Sequence, residues 1–341
     1  MQYSTPKAAL MANNVPWIED DIFSAIYGAE RIEKLSKECN LHPVRIDLGN
    51  FERELPALQD LEVIFSCWGM LPLTTEQLNH LPNLKAVFFA GGSITGFAAA
   101  LLARDIIICN GVEANAIPVA EFCLGQILLS AKGAWRNSLA CRQGPWDQAK
   151  MPIGPGAYGA KVAIVGVGAI SRHLLKLLGP INLKIMAHSN YLSDDNATEL
   201  GIDELCDIET CFREAIIVSN HLADKPSNQG IIGKSHFESM REGATFINTG
   251  RGAQVDESAM IEVLKVRPDL TALLDVQHPE PPRADSEFYT LPNVHMTSHI
   301  AGSMNDELKR MADFVIEDFF RWKTGSTLKY QIDPTSLTQR A

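Results

Sequence analysis

Residues 161–171 constrain the fold most, because they join an apolar run to a helical pattern through a short glycine loop. In this order Gly166 permits a tight turn out of a strand, and Gly168 lets the backbone approach a pyrophosphate where the helix starts. The segment therefore predicts a strand, turn and helix that bind a dinucleotide. The predicted phosphate-loop residues are Gly166, Gly168, Ala169 and Ile170.

The loop departs from the usual pattern at its third small position, where Ser171 replaces Gly or Ala. We expect the hydroxymethyl group to displace the helix slightly from the strand. After the next strand, Ser189 stands where an acidic residue would bind the ribose 2′-hydroxyl of the cofactor. The missing carboxylate favours NADP, but Asp194 and Asp195 and the lack of a neighbouring Arg or Lys favour NAD. The choice between NAD and NADP stays open.

Short apolar runs alternate with helical patterns along the chain, as in parallel sheets with crossover helices. Strands are predicted at residues 7–12, 62–66, 85–89, 106–109, 162–165, 183–187, 215–219, 244–248, 271–274 and 294–297. Helices are predicted at residues 22–39, 74–81, 119–131, 169–178 and 306–322. The pattern predicts an α/β fold with two Rossmann-like, doubly wound parallel-sheet domains, the second with about six strands.

The length of 341 residues exceeds the size at which one hydrophobic core keeps growing, so two domains are expected. A discontinuous substrate domain is predicted at residues 1–112 plus 304–341, because the last amphipathic helix should return to the first sheet. The dinucleotide-binding domain is predicted at residues 113–303.

Composition limits the function classes. A net charge of -11 without any basic run argues against nucleic acid as a partner. The N-terminus lacks the pattern of a signal peptide, and no apolar stretch is expected to approach the ~20 residues of a membrane span. Seven cysteines without a C-x-x-C pair predict reduced thiols in a cytoplasmic protein, with no metal site.

Three residue types needed for hydride transfer at a carboxylated carbonyl follow the glycine loop. Arg251 follows a predicted strand and can hold a carboxylate while polarising the adjacent carbonyl. His299 follows the last predicted strand and is suited to general acid/base work. Glu280 can orient the imidazole, as an acid does in a hydrolase triad. Each residue alone also fits an ordinary surface turn, so the prediction rests on the ordered set.

Residues 248–252 (Asn-Thr-Gly-Arg-Gly), 275–281 (Asp-Val-Gln-His-Pro-Glu-Pro) and 299–302 (His-Ile-Ala-Gly) resemble three segments of the D-isomer-specific 2-hydroxyacid dehydrogenase family. The resemblance runs from about residue 60 to 320. It implies NAD(P)-dependent reduction of a small 2-keto acid, or oxidation of the D-2-hydroxy acid, with a closing interdomain cleft. The catalytic residues that it implies are Arg251, Glu280 and His299.

The same resemblance implies further contacts and a homodimer joined through the cofactor domain. The cofactor would be lined by His221, Leu222, Thr249, Gly250, Asp275 and Gly302, besides the phosphate loop and Ser189. Asp275 would bind the nicotinamide carboxamide. The substrate carboxylate would meet the backbone amides of Gly92 and Ser93, together with Arg251 and His299.

Three departures from the family pattern concern Ser298, Gln277 and the order Ala-Gly-Gly at residues 90–92. The last of these leaves the identity of the substrate open. An alternative function is a dinucleotide-sensing binding protein of the corepressor type, although no basic or low-complexity segment is appended. A formate dehydrogenase would typically carry glutamine in place of Glu280, and an S-adenosylhomocysteine hydrolase would be longer.

Overall fold

A computed structural model describes residues 5–15, 21–144, 146 and 154–334. Within these residues, all the sheet strands pair in parallel. The strands are β1 Lys7–Leu10, β2 Asn40–Leu41, β3 Val63–Cys67, β4 Ala86–Ala90, β5 Ile107–Asn110, β6 Lys161–Val165, β7 Lys184–His188, β8 Glu204–Leu205, β9 Ile217–Asn220, β10 Thr245–Asn248, β11 Thr271–Leu274 and β12 Val294–Met296.

Helices connect most of these strands, as crossover connections between parallel strands require. The helices are α1 Ile22–Glu38, α2 Phe51–Glu54, α3 Thr75–Asn79, α4 Ala98–Leu102, α5 Val112–Ala131, α6 Ala134–Gln143, α7 Ala169–Leu178, α8 Asp194–Glu199, α9 Ile208–Glu214, α10 Lys234–Ser239, α11 Glu257–Val266 and α12 Glu307–Thr324.

The chain forms two compact units, each with its own sheet. The first unit comprises Met1–Asn115 and Ser303–Ala341, and the second comprises Ala116–Gly302. The first sheet has the strand order β2-β1-β3-β4-β5, and the second has the order β12-β11-β10-β9-β6-β7-β8. Two parallel-sheet α/β units of doubly wound topology confirm the predicted fold class.

The first unit is apolar on both faces of its sheet. In β3, Val63 and Phe65 pack with α1 and α12, whereas Ile64 belongs to the core on the opposite face. Phe319 of α12 packs edge-on against Phe65 at a centroid distance of 5.0 Å. Strands covered on both faces read as continuous apolar runs, which is why the sequence revealed them.

The second sheet places the predicted glycine loop at its switch point. β6 lies between β7 and β9, and from β6 the strand order proceeds outward in both directions. Open α/β sheets bind ligands beyond the carboxyl ends of the strands at such a reversal. The loops that follow β6, β7 and β9 are therefore the ones that a dinucleotide would contact.

Some sequence predictions were wrong in detail. Among the described residues the second sheet has seven strands, where about six were expected, because β8 was not predicted. Strand β2 of the first sheet was not predicted either. Both are two-residue edge strands with one polar residue, and they leave no pattern to detect. Helix α5 begins at Val112, not at residue 119, and continues through Pro118.

The length of α5 also corrects an expectation about apolar stretches. Its 20 residues, with a mean hydropathy of 1.3 over the most apolar window, are long and apolar enough to cross a membrane. Half of that window is buried inside the fold. Core helices of globular proteins have the same length and composition, so this helix alone indicates no membrane insertion.

Candidate active site

The glycine loop after β6 lies tightly against the loop after β9. Gly166 has a φ of +91°, and a Cβ there would lie 2.7 Å from the carbonyl oxygen of His221. Its N–H donates to the carbonyl of His188 at the end of β7 (2.9 Å). Only glycine satisfies both the positive φ and the close approach. Packing within the protein therefore accounts for the first glycine of the loop.

The second glycine has a different explanation. Gly168 precedes α7 with a φ of -101°, which any residue adopts, and a Cβ there would meet no atom within 4 Å. Packing therefore does not require glycine at this position. The open space beside the start of α7, together with Ala169 and Ile170 in its first turn, fits the approach of a pyrophosphate. Residues of this loop thus fit a dinucleotide.

Ser171 fits the junction between strand and helix through a hydrogen bond. Its side chain is fully buried, and its hydroxyl donates to the carbonyl oxygen of Gly166 (2.6 Å). A buried hydroxyl needs such a partner, and the half-buried loop carbonyl gains one. The serine therefore ties α7 to the glycine loop, which sequence reasoning did not anticipate.

His299 and Glu280 form a direct pair. Nδ1 of His299 lies 2.6 Å from Oε1 of Glu280, with the two side chains 47% and 42% exposed. A carboxylate only accepts at this contact, so Nδ1 carries the hydrogen and Nε2 is the nitrogen that can exchange a proton with a ligand. His299 also has a φ of +58°, an uncommon conformation for a residue with a side chain.

The loop that carries His299 is held by Asp275, at the end of β11. The buried carboxylate accepts hydrogen bonds from the Thr297 hydroxyl (2.5 Å) and the N–H groups of Ile300 (2.9 Å) and Ala301 (3.0 Å). The carbonyl of Asp275 accepts from the N–H of His299 (3.0 Å). Asp275 thus fixes the backbone on both sides of the imidazole.

Arg251 follows β10 and is 42% exposed. Its Nε lies 3.3 Å from an oxygen of Asp224, and Nη1 donates to the carbonyl of Gly250 (2.8 Å). The next residue, Gly252, presses against the backbone of Gln277, where a Cβ would lie 2.0 Å from the carbonyl carbon. The loop of Arg251 therefore contacts the loop that leads to Glu280.

Sequence reasoning missed a group of amides that shapes these loops. Asn220, at the end of β9, donates to Asn248 (3.0 Å) and to Gln254 (2.7 Å). Gln254 also accepts from the N–H of Arg251 (3.2 Å) and donates to the carbonyl of Leu222 (2.9 Å). A side-chain amide directly after a buried apolar strand was the signal available in the sequence.

His221 and Thr249 lie between the ends of β9 and β10. His221 contacts the Ser219 hydroxyl through Nε2 (2.8 Å) and the Thr249 hydroxyl through Nδ1 (3.4 Å). Burial lowers the pKa of His221 to about 4, so the ring is neutral near pH 7. The switch point of the sheet is therefore lined by polar groups without charge, which belong to His221, Thr249 and Gly250.

In the first unit, the predicted substrate loop follows β4. The Asn110 side chain donates to the carbonyl of Gly92 (2.9 Å), and Ser93 is exposed. Within the part of the chain that is described, no hydrogen-bond acceptor meets the backbone N–H groups of Gly92 and Ser93. Successive backbone N–H groups of this kind can bind an anion.

A dinucleotide fold with an arginine, a glutamate and a histidine in loops at its carboxyl edge is typical of dehydrogenases acting on small carboxylic acids. Residues 124–301, half of the chain, match the family model of the D-isomer specific 2-hydroxyacid dehydrogenases, NAD binding domain. The chain belongs to this family, whose members carry out NAD-dependent oxidoreduction of 2-hydroxy and 2-keto acids.

Two curated relatives and one solved structure show the extent of the similarity. A D-3-phosphoglycerate dehydrogenase of Archaeoglobus fulgidus is 26% identical over 286 residues, covering 84% of this chain and 53% of that protein. The chain thus spans about half the length of that relative. A putative 2-hydroxyacid dehydrogenase of Bacillus subtilis is 30% identical over 266 residues, 76% of each chain. A phosphoglycerate oxidoreductase of Rhizobium etli superposes with a TM-score of 0.80 at 23% identity, covering 96% of this chain and 98% of that one.

Proposed function

We propose that the protein reduces a small 2-keto acid to the D-2-hydroxy acid, and catalyses the reverse oxidation, with a nicotinamide dinucleotide. The contact between His299 and Glu280 carries this proposal, because it turns Nε2 of the imidazole into the proton-exchanging atom. A bound reduced nicotinamide would supply the hydride that arrives at C2 of the substrate. His299 would give its proton to the carbonyl oxygen, and in oxidation it would take that proton back.

Glu280 supports both states of the histidine. When His299 is neutral, the carboxylate accepts from Nδ1 and holds the tautomer that leaves Nε2 free. When His299 is protonated, the negative charge of Glu280 stabilises the imidazolium. The glutamate therefore acts by positioning and electrostatic stabilisation and does not itself touch the substrate.

Arg251 is proposed to bind the substrate carboxylate and to polarise the carbonyl. Nε faces Asp224 and Nη1 binds the Gly250 carbonyl, so two sides of the guanidinium are fixed. A held guanidinium stabilises the charge that develops on the carbonyl oxygen without having to reorient. Gly92 and Ser93 of the first unit are proposed to bind a carboxylate through their backbone amides.

The cofactor is proposed to bind along the loops after β6, β7, β9 and β10. Gly168, with open space at its Cα, would accommodate the pyrophosphate. His221, Leu222, Thr249, Gly250 and Gly302 would line the remainder. Oδ1 of Asp275 accepts two described hydrogen bonds and Oδ2 accepts one, so Oδ2 keeps a lone pair that could accept from the nicotinamide carboxamide.

The reaction is tested by following nicotinamide absorbance when NADH or NADPH is mixed with glyoxylate, hydroxypyruvate, pyruvate or a bulky 2-keto acid. Oxidation of either cofactor with one of these acids supports the proposal. Cofactor binding without oxidation across the panel contradicts it and favours a dinucleotide sensor. Arg251→Ala should raise KM and lower kcat, whereas Arg283→Ala, an exposed arginine paired with Asp285, is the matched control.

We also propose that the protein is a cytoplasmic homodimer. All seven cysteines carry free thiols, which supports a reducing compartment. The family resemblance supports the dimer. Light scattering of the purified protein tests the assembly, and a monomer at micromolar concentration would contradict it.

A further inference from the structure

We propose that Ser189, Tyr191 and Lys225 form a subsite for the 2′-phosphate of NADP, an inference that rests on the proposed function. The subsite selects the phosphorylated dinucleotide over NAD. Its three side chains come from the loops after β7 and β9 of the second unit.

The position of the subsite follows from the two sides of the glycine loop. The N–H of Gly166 donates a hydrogen bond to the carbonyl of His188, so the next residue, Ser189, lies directly beside the glycine loop. On the other side, a Cβ on Gly166 would lie 2.7 Å from the His221 carbonyl oxygen, four residues before Lys225. The adenosine end of a dinucleotide lies next to this glycine loop in such folds.

Ser189 offers a donor where a carboxylate would repel phosphate. Residues 188–192 read His-Ser-Asn-Tyr-Leu and contain no acid. The Ser189 oxygen accepts from the N–H of Tyr191 (3.3 Å), which leaves the hydroxyl hydrogen for an outside acceptor. The described end of β7 therefore offers no carboxylate to bind the ribose diol that distinguishes NAD.

Lys225 supplies the positive charge that is missing from the residues next to Ser189 in the sequence. Its Nζ lies 3.3 Å from the Tyr191 hydroxyl and 5.3 Å from the centre of that ring. Because 34 residues separate the two along the chain, only folding reveals the contact. Among the described residues, no carboxylate lies within 4.0 Å of Lys225, and the preceding Asp224 is paired with Arg251 instead.

The three groups match the chemistry of a phosphate monoester. Two hydroxyls and an ammonium can donate to its oxygens, and a charge-assisted hydrogen bond is roughly twice as strong as a neutral one. Asp194 and Asp195, the acids next along the chain, occupy the first turn of α8. There the positive end of the helix partly offsets their charge.

The test measures binding by calorimetry, independent of turnover, for NADPH and NADH and for adenosine 2′,5′-bisphosphate and 5′-AMP. The 2′-phosphorylated member of each pair should bind at least about tenfold more tightly. Lys225→Met should remove most of that difference by weakening NADPH alone. Lys184→Met, an exposed lysine at the other end of β7 that is paired with Asp203, is the matched control and should change neither affinity.

Ser189→Asp supplies an independent variant, because it should reverse the preference by repelling the 2′-phosphate and binding the ribose hydroxyls. Equal or tighter binding of NADH by the unmodified protein would overturn the subsite while leaving the proposed function intact. If Lys225→Met lowered the affinities for NADPH and NADH equally, the subsite would also be overturned and the proposed function would stay intact. Binding of neither cofactor would contradict the proposed function as well.

Discussion

A Cβ on Gly252 would lie 2.0 Å from the carbonyl carbon of Gln277, so the loops after β10 and β11 are in backbone contact. Arg251 immediately precedes this contact, and Glu280 follows three residues after it. The arginine and the glutamate are thereby fixed relative to each other through two backbones, without a direct contact between their side chains. Glycine is required here by proximity and not by its φ.

Gly252→Ala should therefore separate the two loops. We expect a loss of about 1–3 kcal/mol in the free energy of unfolding, since the added methyl group meets backbone and cannot be accommodated by a rotamer change. The value of kcat should fall with it. Gly125→Ala in α5, where a Cβ meets nothing within 4 Å, is the control for thermal and chemical denaturation. If Gly252→Ala kept the stability and the kcat of the wild type, the contact with Gln277 would not be what fixes the two loops.

Gly168→Ala should separate ligand binding from stability. A Cβ at Gly168 would meet no atom of the protein, so the melting temperature should stay unchanged. The methyl group would occupy the space proposed for the pyrophosphate, and dinucleotide affinity should fall by about tenfold or more. Gly233→Ala is a closely matched control, because it also precedes a helix, has a φ of -113° and faces open space. Equal dinucleotide affinity in the two variants would contradict the proposal that the pyrophosphate binds beside Gly168.

Glu257 predicts a pH dependence of stability. Burial raises the pKa of its carboxyl from 4.5 to about 7, although the His278 N–H that it accepts (2.7 Å) opposes this shift. The folded protein therefore binds this proton more tightly than the unfolded chain does. Ionisation of Glu257 therefore destabilises the fold. This destabilisation is absent below pH 4.5 and reaches its full size above about pH 7.

Glu257→Gln removes this charge and keeps an acceptor for His278. At about pH 8 the variant should be more stable than the wild type by about 1 kcal/mol, a figure reduced for the partial exposure of the group. At about pH 5 the two should differ little. Glu262→Gln, an exposed residue of the same helix, is the control in urea denaturation at both pH values. A difference independent of pH would contradict the assignment.

His299 and Glu280 should differ in the size of their effects on turnover. His299→Ala should lower kcat by about a thousandfold or more, because the variant lacks the imidazole that is proposed to exchange the proton. Glu280→Gln keeps a hydrogen-bond acceptor but loses the charge, and a loss of about 10–100-fold is expected. Cofactor affinity should be unchanged in both. His80→Ala, an exposed histidine that caps α3, is the control, and retained turnover in His299→Ala would refute the role of the imidazole.

The elements that sequence predicted well are those whose physical constraint is local. The strand, glycine turn and helix around Gly166 follow from apolar burial and the steric freedom of glycine. The pairing of His299 with Glu280 was a prediction from spacing and resemblance, and the two residues do lie in contact. By contrast, the hydrogen bonds of Asn220 with Asn248 and Gln254 could not be predicted, because they form only when three loops come together.

The contacts of the charged residues around the site could not be predicted from the sequence either. Asp224 and Lys225 are neighbours in the chain, yet one contacts Arg251 and the other contacts Tyr191. Which partner each one takes depends on the order of strands in the sheet, a non-local property. Edge strand β8 was missed because two residues, one of them polar, leave no detectable pattern. The first turns of α5 were missed because the internal Pro118 is more typical of a loop.

The most direct test of the proposed reaction follows an isotope. The protein is incubated with a 2-keto acid that it reduces and with a nicotinamide cofactor deuterated at C4, and the product is examined by mass spectrometry and NMR. The account predicts a D-2-hydroxy acid with deuterium at C2, formed by the wild type and not by His299→Ala. A product without deuterium at C2, or equal formation by the variant, would contradict hydride transfer assisted by His299.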